Sequence, residues 1–81
     1  MQIEVLLFAA LREAAGRDRI TIDVSDQPTA DDVIQAIADR LPSVAALMPA
    51  CRVAVDSSYV GPDTLVPPNS EVALIPPVSG G

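Results

Sequence analysis

The sequence contains no histidine, no lysine and no tryptophan, a single cysteine, and only two aromatic residues, Phe8 and Tyr59. Each gap removes a class of function. An enzyme acting alone needs a nucleophile, an acid or base that works near neutral pH, or a metal. Without His or Lys the usual neutral-pH bases are missing, and Ser57, Ser58 and Tyr59 have nothing to activate them. Cys51 has no second cysteine or histidine to complete a metal ligand set, so no metal site is expected. It cannot form an internal disulfide either, so nothing points to an oxidising compartment. It begins an apolar stretch, where free cysteines are commonly buried and inert.

No apolar run approaches the ~20 residues of a membrane span. Glu4 interrupts the apolar start and no basic segment precedes it, so the expectation is a cytoplasmic protein without a signal peptide. Eleven acidic residues face five arginines, a net charge of −6. Such a surface repels phosphate backbones and anionic lipid heads, so nucleic acid and membranes are poor partners. An acidic chain is expected to be steered instead toward a basic protein surface. No glycine-rich loop precedes a helix, so there is no phosphate cradle.

What is present fits one small domain. The chain has 81 residues, 49% of them apolar. At this size the core is thin, and Val, Ile, Leu and Ala must fill it. Gln2 to Phe8 reads as a strand that turns apolar on both faces at Leu6 and Phe8, the pattern of a strand buried on two sides. Ala9 to Ala15 is a short helix stopped by Gly16, with Arg12 and Glu13 as solvated surface. Arg19 to Val24 alternates as a second strand. Thr29 caps the clearest helix, and Asp31 and Asp32 in its first turn complement the helix dipole rather than form a catalytic pair. Its stripe of Ala30, Val33, Ile34, Ile37, Ala38 and Leu41 has the i, i+3, i+4, i+7 spacing of a buried face. Pro42 ends it, and Ser43 to Met48 suits a helical turn. Cys51 to Val55 is a third strand, Asp56 to Ser58 a turn, and Tyr59-Val60 a short returning strand. Thr64 to Val66 is ambiguous, and Glu71 to Ile75 is the last strand. This order supports an α+β fold with a mixed sheet packed on one main helix.

The chain then ends Pro76-Pro77-Val78-Ser79-Gly80-Gly81. Two prolines stop sheet pairing and project the backbone outward. Two glycines make the slimmest peptide available. The expected division is a domain over 1–75 and an extended tail over 76–81. A stiff exit followed by a thin carboxylate suits an arm that enters a narrow site on another protein.

This ending, with the opening Val5-Leu6-Leu7-Phe8-Ala9-Ala10-Leu11-Arg12-Glu13, resembles the small sulfur-carrying subunits of molybdopterin synthase, within the ubiquitin-like sulfur carriers. The resemblance implies a β-grasp fold with the first and last strands adjacent and parallel in the sheet centre. It implies that a separate ATP-dependent enzyme adenylates Gly81, and that a sulfur donor enzyme converts the adenylate to a thiocarboxylate. The sulfur then passes to the pyranopterin precursor held by the large catalytic subunit. Two deliveries build the dithiolene of the molybdenum cofactor, in a heterotetramer with two copies of each subunit. The chain itself would hold no cofactor and would not be an enzyme alone; ATP is used by the activating partner. Gly81 would carry the sulfur. Gly80 and Ser79 would pass through the partner's tunnel, Val78 and Pro77 would seal its mouth, and Pro76 would set the exit direction. An apolar patch near the last strand would be covered by partners, its candidates being Leu6, Phe8, Val60, Leu65, Leu74 and Ile75. One departure from the family pattern is the turn Pro67-Pro68-Asn69-Ser70, where an acidic, glycine-containing turn is common. Two other readings share these residues: a thiamine-pathway or protein-modifying carrier, and an interaction domain with an inert terminus.

Overall fold

In the computed structural model, residues 1–76 are described. The expected tail residues Pro77, Val78, Ser79, Gly80 and Gly81 lie outside the described residues.

Five strands form one sheet: β1 (Gln2–Leu7), β2 (Arg19–Asp23), β3 (Arg52–Val55), β4 (Ser58–Val60) and β5 (Val72–Ile75). Their spatial order is β2-β1-β5-β3-β4, so the last strand is the central one. It lies parallel to β1, with Val5 opposite Val72 and Leu7 opposite Leu74. The neighbours β1–β2, β3–β5 and β3–β4 are antiparallel. This is the ubiquitin-like β-grasp arrangement.

Strand alternation decides which side chains enter the core. Ile3, Val5 and Leu7 of β1, Ile20 and Ile22 of β2, Val53 of β3, and Val72 and Leu74 of β5 are all buried on one face. The helix α2 (Ala30–Arg40) covers that face and contributes Ala30, Val33 and Ile37. Ile34, Ala38 and Leu41 flank the stripe, half-buried against the same core. The expected cap is complete. Thr29 Oγ1 accepts a hydrogen bond from Asp32 N at 3.2 Å, and Thr29 N donates to Asp32 Oδ2 at 2.9 Å. This reciprocal pair satisfies backbone donors that the first helical turn leaves open.

The short helix α1 (Ala9–Ala15) inserts Leu11 into the core and ends at Gly16, whose φ of 74° is the left-handed conformation that glycine adopts without strain. The segment after α2 is a nine-residue 3₁₀ helix, α3 (Pro42–Ala50), longer than the expected turn. Val44 and Met48 hold it to the core. The β3–β4 hairpin closes on Asp56 and Ser57, both at positive φ, so Ser58 belongs to β4 rather than to the turn. The ambiguous stretch supplies a bridge, Thr29 to Leu65, and a buried Val66.

The first strand departs from expectation. It stops at Leu7, Leu6 is half-buried, and Phe8 is 44% exposed. Among the described residues the helices lie on one face of the sheet, and no element covers the residues of the opposite parity. Apolar character at Leu6 and Phe8 marks an uncovered surface instead of a second buried side.

Ile37 has no exposed area and sits at the middle of the helix stripe. In the Ile37→Asp variant a charge without a partner enters the core. The cost is several kcal/mol, on the scale of the ~5–15 kcal/mol that holds a domain folded. Circular dichroism on heating is expected to show no cooperative transition for this variant. A wild-type melting curve would mean that the core lies elsewhere.

Candidate functional site

Pro76 follows β5 directly and is half-buried. It is the one expected tail residue within the described residues. Its position is set by strand pairing: Ile75 lies opposite Arg52, and Leu7 opposite Leu74, so the chain leaves the sheet between the end of β1 and the start of β3.

The uncovered sheet face leads to that exit. Leu6, Ala73, Ala54 and Tyr59 form one cross-strand row, each paired with the next. Beyond it stand Phe8 and Ile75. The two alanines at the centre are low, with 8% exposure each, while Tyr59 is 59% exposed and Phe8 44%. The result is a shallow hollow of about 270 Å³ over Ala54 and Ala73, edged by Phe8, Tyr59 and Ile75. Ser57 and Glu71 complete its lining. Exposed apolar side chains grouped around a hollow are a common feature of protein-binding surfaces. Two larger grooves, of about 600 and 560 Å³, lie along the 67–71 loop and between α2 and the β3–β4 pair; neither is lined by Ile75 or Pro76.

Of the surface candidates named from sequence, Leu6, Phe8 and Ile75 belong to this face. Leu74 does not: it is fully buried, because it has the core parity of β5. Val60 also has core parity, opposite Val53. Leu65 is 56% exposed, but it lies in the bridge to Thr29, not among the residues around the hollow. Tyr59, Ala54 and Ala73 were not among the candidates. Their signal was the two-residue alternation through Ser58-Tyr59-Val60 and Val53-Ala54-Val55, which separates the two faces once the hairpin turn is placed at 56–57.

Among the described residues no group of three His, Cys, Asp or Glu side chains could hold a metal ion. No helix among the described residues is long and apolar enough to cross a membrane. Cys51 is half-buried, and its Sγ donates to Leu47 O at 3.1 Å. Burial pushes the thiol pKa up, away from the thiolate that reacts. The raised folded-state value fixes the sign of its pH dependence. The stabilising contribution is complete below the range of the unfolded thiol and is lost as pH rises through the folded value. Alkylation of Cys51 by iodoacetamide at mildly alkaline pH is expected to run roughly ten-fold slower in the folded chain than in denaturant. Equal rates would show an accessible, reactive thiol.

Comparison with known proteins agrees with this geometry. A model of the ThiS family matches residues 5–81. The molybdopterin synthase sulfur carrier subunit of Homo sapiens is 39% identical over 83 residues, spanning 99% of this chain and 94% of that one. Its counterpart in Chlamydomonas reinhardtii is 37% identical over 83 residues, with 100% of both chains covered. The crystal structure of SAMP1 from Haloferax volcanii superposes with a TM-score of 0.84 at 27% identity, again over 100% of both chains. With a family match over nearly its whole length and full-length relatives above 30% identity, this chain belongs to the ThiS family of ubiquitin-like sulfur carriers, alongside the molybdopterin synthase sulfur carrier subunits.

Proposed function

We propose that the chain is the sulfur carrier of molybdenum cofactor biosynthesis and that Gly81 is the residue that carries the sulfur. The observation that most supports this is the placement of the exit. The central strand β5 runs without a break to Pro76 beside an uncovered apolar face, and the family match continues through residue 81. A carrier needs both parts, a surface on which the partner docks and an arm that reaches its site.

A free carboxylate is a poor electrophile. An ATP-dependent activating enzyme adenylates Gly81, and the resulting mixed anhydride has a good leaving group. The outer sulfur of a donor enzyme's persulfide then displaces AMP to give an acyl disulfide. A thiol cleaves its S–S bond, being itself oxidised to a disulfide, and releases the thiocarboxylate, whose sulfur is a strong nucleophile. The large catalytic subunit of molybdopterin synthase binds the carrier on its open face and receives the tail, and sulfur passes to the pyranopterin precursor. Hydrolysis restores the carboxylate. In this scheme the chain holds no cofactor, works in the cytoplasm, and pairs with the large subunit as two copies of each. Pro76 directs the tail, and Pro77 and Val78 seal the opening. Ser79 and Gly80 pass through it because they are small.

A second reading is protein modification, favoured by the likeness to SAMP1, a small archaeal modifier protein. There Gly81 would be joined to an amine instead of delivering sulfur. One experiment separates the readings. The chain is incubated with the activating enzyme, ATP and a sulfur source, then given the large subunit and precursor, and its intact mass is followed. The expected result is a gain equal to sulfur replacing oxygen, reversed on transfer. Conjugates to other proteins would favour modification, and an unchanged mass would favour an inert terminus.

Two variants extend the test. Removing Gly81, or the change Gly80→Val, is expected to leave the melting curve unchanged, because no described core residue is touched. Sulfur delivery is expected to fall at least ~100-fold, since a β-branched side chain in a closely fitted channel displaces the reacting group. Transfer at the wild-type rate would sink the carrier reading. Phe8→Asp is expected to spare folding and weaken binding to the large subunit by more than ~10-fold, as loss of an interface anchor does. Titration calorimetry measures that change.

A further inference from the structure

The net charge of −6 is not spread evenly. β1 and β5 end, and β2 and β3 begin, at one edge of the sheet, the edge from which Pro76 departs. Arg52 starts β3 there, opposite Ile75. Arg19 starts β2, opposite Leu6, and Arg17 lies in the turn just before it. That turn is held to the sheet by Leu7 N donating to Asp18 O at 2.8 Å. Arg12 stands on α1, which leaves and rejoins this edge. Four of the five arginines therefore lie around the exit, with Glu4, Glu13 and Asp18 among them, whereas the rest of the chain carries eight acids and one arginine. Overall charge predicts attraction to a basic partner, yet the end that makes contact is locally positive.

Arg52 is the one of these charges that stacks on an aromatic ring. Its guanidinium carbon lies 4.8 Å from the centroid of the Tyr59 ring, on the uncovered face. The two residues are diagonal neighbours across the β3–β4 pair, since Tyr59 is opposite Ala54. Stacking on the ring fixes the guanidinium and leaves its planar edge of N–H donors open. Among the described residues the only arginine with a carboxylate within 4 Å is Arg19, which meets Glu4 and Asp18. Arg52 has none. A preorganised guanidinium with no carboxylate within 4 Å among the described residues, beside an apolar hollow and an exit, suits a carboxylate from outside.

We infer that Arg52, held by Tyr59, is a specificity residue that pairs with a carboxylate at the rim of the opening through which the large catalytic subunit takes the tail, and that Arg12 and Arg17 strengthen the same positive collar. The inference rests on the docking reading above. The collar and the tail tip have opposite signs. A partner with acidic groups at the rim and basic groups in its depth is therefore engaged in one orientation, with the arm pointing inward. Screening acts over about 8 Å at physiological ionic strength, so the collar guides only the final approach.

The test uses the full chain and the purified large subunit, with affinity measured at low and at physiological ionic strength. Arg52→Met keeps the apolar stem and removes the charge; Arg52→Lys keeps the charge. Arg52→Met is expected to bind about ten-fold more weakly at low ionic strength, with a shallower salt dependence, and Arg52→Lys to stay within about three-fold of wild type. Arg17→Met is expected to weaken binding by about two- to three-fold. Asp26→Asn, in the exposed loop after β2, is expected to change it by less than about two-fold. Arg52→Met binding as wild type does, or Arg52→Lys falling as far as Arg52→Met, would overturn the inference while leaving the docking reading intact. A wild-type chain that does not bind the large subunit at any ionic strength would overturn the docking reading itself.

Discussion

The pairing of β1 with β5 is the constraint on which the rest of the molecule depends. It joins Val5 to Val72 across almost the whole chain. Parallel strands cannot be joined by a tight turn, so everything between them is a long excursion that must return in register. That excursion contains the edge strand β2, all three helices and the β3–β4 hairpin. Its success places Leu74 in the core and Ile75 on the open face, and it delivers Pro76 to the edge where β1 ends. A slip of one residue would exchange the two faces of β5, burying Ala73 and exposing Leu74.

The second constraint is that only one face of the sheet is covered. With 81 residues there is helix enough for a single layer. The opposite face must therefore meet solvent or a partner. At its far side it carries the polar residues Gln2, Glu4, Thr21 and Asp23. Toward the exit it turns apolar, at Leu6, Phe8, Ala73, Ile75 and Tyr59. This gradient along one face makes a docking surface economical. The strands that build the core also carry this apolar surface on their reverse side, and β5 runs on to Pro76.

Local chemistry was readable without a structure. The α2 stripe, the Thr29 cap with Asp32, and the Gly16 stop all sit where residue spacing puts them, because each depends on neighbours within four residues. The weak points were boundaries and faces. Phe8 appeared to extend a strand buried on both sides, and the turn at 56–58 was one residue too long. The turn is set by the positive φ of Asp56 and Ser57, which leaves Ser58 paired with Val55; the strand error concerns faces. Alternation shows that a strand has two kinds of face, but apolar residues on both cannot reveal whether a second layer exists to cover them.

The sequence by itself determined the inventory: the elements, the absence of an internal base, the apolar stripe, and the Pro-Pro and Gly-Gly ending that resembles the sulfur carriers. These follow from residue type and short-range spacing. Only the tertiary structure decided that Tyr59, Ala54 and Ala73 share a surface with Phe8, and that Leu74 does not. Only it gathered arginines from positions 12, 17, 19 and 52 at one edge. The physical reason is that surfaces and charge clusters are made by strand register between distant segments. Register is settled by the packing of the whole core, not by any stretch that can be read alone.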